Sequence, residues 1–302
     1  ISGGAVTVAP IDPLFVTPLL DGLSWGVMLV LIAMGLTLIF GFLEVVNFAH
    51  GGYYMLGGYV VFASVDAGYG FLPGVIGAIV VVAILGILTE KILLKPSYDF
   101  GPITQLLIMV GAALVIEGSV ILIWGEQGKG VQTPELFAGS VNVLGSAYPL
   151  YRLVLIAVGL VVIAAVWLFL ERSRIGLVIR ASLTDKEMAR AFGNNIPRIY
   201  TFVFASGVAI AAFAGALMTP LRGVGPATGA SILLTAFIVV VVGGLGSYRG
   251  SVVAGLSLGM IDMLVARYVS FRLSGITIIG VLVVVLILKP RGLFGVEGVM
   301  EE

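Results

Sequence analysis

The sequence predicts an all-α fold, a polytopic bundle of transmembrane helices with about eight or nine spans, one of them broken or re-entrant. Three observations predict it. Of 302 residues, 60% are hydrophobic and 11% charged, and the mean hydropathy is +1.17, far outside the soluble globular range. Apolar runs of about 20 residues, the length a helix needs to cross the hydrocarbon core, recur along the whole chain and leave no stretch for a sizeable soluble domain. These runs are continuously apolar, as in VIGAIVVVAILGIL (75–88) and GVLVVVLIL (280–288), whereas strands of a transmembrane barrel would alternate.

Taken in order between polar or Gly/Pro punctuation, the spans are expected at about 19–41, 53–65, 72–94, 102–124, 150–170, 199–219, 230–247, 251–268 and 272–288. The first carries Gly22 and Gly26, the eighth Gly255 and Gly259, and Gly70 with Gly74 and Gly246 with Gly250 repeat the spacing. Small residues four apart let helix backbones approach closely in lipid, so a compact bundle is expected. The second span is too short and too interrupted to be an ordinary crossing. Eleven of the sixteen cations (Lys91, Lys95, Arg172, Arg174, Arg180, Lys186, Arg190, Arg198, Arg249, Lys289 and Arg291) fall in one alternate set of loops. Lys129, Arg152, Arg222, Arg267 and Arg272 fall in the other. The first set is therefore expected on the cytoplasmic side, with the C-terminus inside and, for nine crossings, the N-terminus outside.

Several classes of function are excluded. Net charge is zero and the cations are too few to cover a basic surface, so nucleic acid is not a partner. Without Cys and with one His there is no thiolate or imidazole cluster for a metal. GEQGKG (125–130) lacks the glycine spacing and the hydroxyl residue of a phosphate loop. No nucleophile stands at motif spacing from a base. The chain is expected to be neither an enzyme nor a holder of cofactor or metal. ISGGAVTVAPIDPLF at the start has no basic n-region, so it does not read as a signal peptide. It also begins without Met, and that end is expected to be trimmed.

Polar groups inside apolar runs mark candidate sites. In GLTLIFGFLEVVNFAHGGYYMLGGYV (35–60), Glu44, Asn47, His50, Gly51 and Tyr54 fall within about 120° of one another on a helical wheel. No Lys or Arg precedes Lys91 to anchor this stretch at a cytoplasmic surface, and Gly51–Gly52 and Gly57–Gly58 favour an interruption. A broken or re-entrant helix is expected, its polar groups facing protein, either lining a cavity or locking the bundle. Glu117 has Ala113 one turn earlier, and Asp262 shares a face with Gly255 and Gly259; both are candidates for a translocation pathway or for cross-linking.

The longest charged stretch, ERSRIGLVIRASLTDKEMARAFGNNIPRIYTF (171–202), lies on the expected inner face. Thr184 with Glu187 forms a capping box, Gly193 can end a helix in the left-handed conformation, and Pro197 delays the next span. The helix so bounded carries an apolar stripe of Met188, Ala191 and Phe192 beside Lys186 and Arg190. Two turns are not stable alone in water, so the stripe needs a surface to dock on, and a groove of a soluble partner is favoured over the ends of its own helices.

At these residues the sequence resembles the membrane subunits of ABC importers of the branched-chain amino acid type. The resemblance runs through 22–59, RSRIGLVIRASLTDKEMARAFGNN (172–195), VVGGLGSYRGSVVAG (241–255) and LKPRGLFG (288–295). It implies a type II-like ABC permease, a single transmembrane domain over 1–302 with a cytoplasmic coupling segment at about 171–198. The segment matching Arg180 to Asn195 would be the coupling helix, placing Thr184, Asp185, Glu187, Met188, Ala189, Ala191, Phe192 and Gly193 in a cleft of the ATP-hydrolysing subunit. It further implies two ABC ATPase subunits that hold ATP and Mg, a homologous second permease chain or a second copy, a soluble extracytoplasmic substrate-binding protein, and a multi-pass location in a prokaryotic plasma (inner) membrane. Branched-chain or other hydrophobic amino acids would be the substrate, although relatives of this build carry urea, short amides or aromatic acids. Arg249, the Asn194–Asn195 pair and the outer loop 126–151 depart from the family pattern. The rival from another class is an ion-coupled secondary transporter or channel using Glu44, His50, Glu117 and Asp262.

Overall fold

In a computed structural model of the chain, residues 13–184 and 186–295 are described, with the side chains of 13, 14, 183, 184, 186 and 187 outside that description. The helices run α1 Pro13–Leu43, α2 His50–Asp66, α3 Phe71–Thr89, α4 Pro102–Trp124, α5 Leu150–Arg172, α6 Arg174–Thr184, α7 Lys186–Ala191, α8 Ile196–Arg222, α9 Thr228–Gly243, α10 Tyr248–Tyr268 and α11 Ile276–Leu288. Each of the nine expected spans is therefore a helix. Among the described residues, α1, α3, α4, α5, α8 and α10 are long and apolar enough to cross a membrane, while α9 and α11 are shorter apolar helices.

The bundle is apolar on both its inner and outer surfaces, as a protein solvated by lipid must be. At the centre lies α1, where Val27 through Met34 are fully buried. At the periphery, Leu122 on α4, Val161 on α5 and Ile287 on α11 are each more than 60% exposed. With no hydrophobic drive between helices in lipid, close backbone approach must hold the centre. The glycines at four-residue spacing provide it. A methyl at Gly22 would stand 2.8 Å from Met260 Cα, one at Gly26 3.0 Å from Leu256 Cα, and one at Gly255 3.0 Å from Val30 N. Below them Thr37 and Ser251 pair their hydroxyls at 2.6 Å.

The packing repeats about a pseudo-twofold relation between α1–α4 and α8–α11. A long helix, a break and a helix of 17 or 16 residues open both halves (α1 then α2, α8 then α9). Contacts follow suit: α1 lies on α10 as α8 lies on α3, and α2 packs on α3, α4 and α8 as α9 packs on α10, α11 and α1. Such repeats build sites where their broken helices meet. At the end bearing most cations, the two glycine-rich motifs interlock. Leu293 N donates to Val242 O (2.8 Å) and Phe294 N to Gly243 O (3.0 Å).

At the opposite end β1 (Ser140–Val143) and β2 (Ser146–Pro149) form a hairpin whose turn places Leu144 and Gly145 at φ 49° and 89°. Tyr148, fully buried, donates from its hydroxyl to Asp21 Oδ1 at 2.8 Å, and Arg152 pairs with the same carboxylate. Burial, and then the bond to Asp21, push the Tyr148 phenol upward, so it remains a donor throughout the physiological range. Tyr148→Phe is expected to cost about 1 kcal/mol, since Arg152 still satisfies Asp21. A shift of a few degrees in detergent melting checks this.

Candidate translocation and coupling sites

The polar stretch after α1 is a break in the backbone. Helix α1 ends at Leu43, Glu44 turns left-handed at φ 60°, and helix resumes only at His50. Glu44, Asn47, His50, Gly51 and Tyr54 thus share no helical face; that reading fails because residues 44–49 leave the helix before the wheel can apply. Glu44 is exposed, whereas Asn47, His50 and Tyr54 are buried. Asn47 Oδ1 accepts from Ala49 N at 3.0 Å and steadies the restart. His50 Nε2 lies 3.0 Å from the Ile32 carbonyl; since a carbonyl only accepts, Nε2 carries the proton. Ile32 lies eleven residues before Leu43, roughly 16 Å back along the axis at 1.5 Å per residue. Residues 44–49 make that return through a left-handed Glu44 and a tight turn in which His50 N donates to Asn47 O at 3.1 Å. Helix α2 therefore begins deep in the bundle, beside the middle of α1.

The second break mirrors the first. Gly223 at φ 67° ends α8, Thr228 Oγ1 accepts from Gly225 N at 2.9 Å, and α9 restarts. The two restarts meet: a Cβ on Gly229 would stand 3.2 Å from Gly51 O, and a Cβ on Gly51 would overlap the Gly229 carbonyl. Beside this contact lies a cavity of about 170 Å³ between α2, α4 and α9, bounded among others by Phe48, Met55, Ala113, Leu233 and the half-buried carboxylate of Glu117.

Asp262 does not border that cavity. Only 3% exposed, it accepts from Ser274 Oγ at 3.0 Å and Gly275 N at 2.8 Å, so its carboxylate ties α10 to the turn before α11. These are the bonds of a cross-link. A second buried carboxylate escaped the sequence reading, at the inner edge of the expected 72–94 span. Glu90 is fully buried in a π-helical turn at the end of α3 and accepts from Tyr98 OH (3.0 Å) and Thr201 Oγ1 (2.6 Å). Thr201, on the opposing α8, is the partner that no sequence spacing could announce.

The coupling segment folds as two helices, α6 and α7, where one was expected. Ser173 caps α6 by accepting from Gly176 N at 2.8 Å. Arg180 turns back to donate to the Leu170 and Glu171 carbonyls and pairs with the Glu171 carboxylate at 3.2 Å, closing the end of α5. Ile179 is buried against Leu38 and Phe42 of α1. Helix α7 ends as expected: Gly193 is left-handed at φ 81° and donates to Arg190 O at 2.9 Å, and α8 begins at Ile196 with Pro197 in its first turn. The Thr184–Glu187 capping box falls on side chains outside the description, and Asp185 lies outside the described residues altogether. Of the stripe, Met188 and Phe192 are 54% and 80% exposed, while Ala189 beside it is buried. Ala191 is exposed with them.

An inverted pair of broken-helix repeats, apolar outside and enclosing buried polar groups, with a small helical knob at its basic end, defines a membrane transport subunit. The family model described as branched-chain amino acid transport system, permease component, matches residues 19–286. The chain is 31% identical over 297 residues to the high-affinity branched-chain amino acid transport system permease protein LivH of Escherichia coli K12, covering 93% of this chain and 96% of that one. The corresponding protein BraD of Pseudomonas aeruginosa is 28% identical at the same coverage, and a probable LivH of Methanocaldococcus jannaschii 26% identical over 89% of each chain. Among solved structures, PsaBC from Streptococcus pneumoniae in complex with Fab superposes with a TM-score of 0.51 at 12% identity, covering 90% of this chain and 91% of that one; this likeness concerns the fold alone. The chain belongs to the branched-chain amino acid transport system permease family, and is a membrane-spanning permease subunit of an ABC importer.

Proposed function

We propose that residues 1–302 form one permease unit that imports branched-chain or other hydrophobic amino acids across a prokaryotic plasma membrane. It works with a homologous second permease chain or a second copy of itself, two ABC ATPase subunits holding ATP and Mg, and a soluble extracytoplasmic binding protein. The chain itself hydrolyses nothing. The exposed stripe of Met188, Ala191 and Phe192, on and just after α7, carries the reading: an apolar surface held out at the basic end beside a left-handed glycine serves a soluble partner, not lipid.

The path of force is short. Closure of the ATPase subunits displaces α7 and, through it, α6. Arg180 and Ile179 tie α6 to the end of α5 and to α1. A ligand drives such a change only by the difference of its contact energies in the two states. Asn47, His50 and Tyr54 are buried in and just after the first helix break, and the half-buried Glu117 borders the neighbouring cavity; the exposed Glu44 and the Asp262 cross-link do not border that cavity.

Reconstitution tests the proposal. Permease, its second chain and the ATPases in liposomes are expected to accumulate labelled leucine only with ATP and loaded binding protein. Urea, acetamide or benzoate uptake in leucine's place would reassign the substrate. Leucine entry through the purified chain alone, driven by a proton or sodium gradient, would replace the proposal with a secondary transporter.

A further inference from the structure

Glu117 is an ionisable residue inside an apolar helix that finds no partner among the described residues. Helix α4 ends at Trp124, so Glu117 lies seven residues, roughly 10 Å, inside the apolar span. A carboxylate at that depth faces protein or an aqueous cavity, and is ordinarily neutralised by a partner. The other deep carboxylates have theirs: Glu90 takes two hydroxyls, and Asp262 a hydroxyl and a backbone amide. Half-buried, Glu117 takes neither a hydrogen bond nor an ion pair among the described residues. It borders instead the cavity between α2, α4 and α9.

The cavity supplies the rest of a recognition site. Its 170 Å³ would hold about five waters at ≈30 Å³ each, the scale of one small solute. Apart from Glu117, its walls are predominantly apolar, with Met55, Val110, Leu114 and Leu233 on three different helices. One anionic group at the edge of an apolar chamber matches a small molecule with a primary ammonium at one end and a branched hydrocarbon at the other. In a site of low dielectric the ammonium–carboxylate attraction is strong, and with no cation paired to it among the described residues the carboxylate is left for a mobile one.

We propose that Glu117, at the edge of the cavity between α2, α4 and α9, holds the ammonium group of a hydrophobic amino acid in transit while the apolar walls receive its side chain. This assignment rests on the transport function proposed above and adds the group that distinguishes an amino acid from its deaminated acid.

The assembled complex in liposomes tests it. Glu117→Gln keeps shape and removes charge. Leucine uptake is expected to fall at least tenfold, while ATP hydrolysis stimulated by loaded binding protein stays within twofold and the subunits still co-purify. Glu117→Asp is expected to restore part of the uptake. A structural role would lower hydrolysis and co-purification together with transport. Equal leucine uptake by wild type and Glu117→Gln overturns the site. A wild-type complex that moves no amino acid overturns the transport reading, and this site with it.

Labelling guards against a Gln variant that fails to assemble. The chain contains no cysteine, so Ala113→Cys, in the cavity wall, and Val161→Cys, on the exposed face of α5, report separately. A small cationic thiol reagent is expected to modify position 113 faster than 161 and to be slowed there by leucine during turnover. Equal rates at the two positions, or no effect of leucine at 113, overturn the proposal.

Discussion

Replacing Met188 and Phe192 together by Glu is expected to abolish ATP-driven uptake and to release the ATPase subunits, while the transmembrane bundle stays folded. The two side chains are 54% and 80% exposed, so neither substitution opens a cavity in the permease. Each buries about 1.5–3 kcal/mol of apolar surface when seated in a partner's groove. Losing both removes roughly 3–6 kcal/mol, or about two to four orders of magnitude in affinity. Desolvating two carboxylates in an apolar cleft adds to that loss. Co-purification on a tagged ATPase subunit measures the affinity, and melting of the isolated permease in detergent measures the fold. Ala189, 4% exposed and turned inward, supplies the contrast. Ala189→Leu crowds the underside of α7 and is expected to lower melting as well as binding. Unaltered uptake in the double Glu variant would mean that no soluble motor docks here.

Much of this architecture was legible because lipid imposes simple demands. A span must be apolar for about 20 residues, and helices held by packing need small residues at regular spacing. Hydropathy therefore located a helix at each expected apolar run, and the four-residue glycine spacing announced close packing, which the structure places between α1 and α10 at Gly22, Gly26, Gly255 and Gly259. The end of α7 was legible for a local reason: Gly193 and Pro197 act on their own backbone, so their consequences need no partner. What was not legible was non-local or conformational. The wheel drawn through 44–54 assumed a helix, and one left-handed residue at Glu44 removes the premise. Glu90 lay at the edge of a predicted span, and its burial depends on Thr201, 111 residues away. Helix α6 hid within the charged loop because its stabilisers, Ser173 and the Arg180 bonds, act across the sharp turn from α5. The kinship of the two halves was hidden because it lies in the packing partners of each helix, not in similar residues.

Gly51→Ala is expected to be among the most damaging single methyl groups that can be added to the chain, and its asymmetry with Gly229→Ala tests the geometry where the repeats meet. At Gly51 the new Cβ would overlap the Gly229 carbonyl oxygen and stand 2.8 Å from its carbon, closer than real Cβ atoms come to backbone. Backbone cannot rotate aside as a side chain can, so one of two helix starts, both fixed by neighbouring turns, must move. A cost on the order of 3 kcal/mol follows, the upper end of ordinary overpacking. At Gly229 the corresponding Cβ meets Gly51 O at 3.2 Å, a distance that a few tenths of an ångström relieves; about 1 kcal/mol is expected there. Gly280→Ala on α11, with nothing within 4 Å, removes only helical glycine entropy and is expected to be neutral or slightly stabilising in the isolated chain. Melting of the three variants in detergent should therefore rank Gly51→Ala lowest, then Gly229→Ala, then Gly280→Ala. Because positions 51 and 229 act on one contact, their double variant should cost less than the sum of the single costs, since the shift that admits the first methyl makes room for the second. A strictly additive pair, or a Gly51→Ala chain that melts like wild type, would mean that α2 and α9 do not restart against each other at the centre of the bundle.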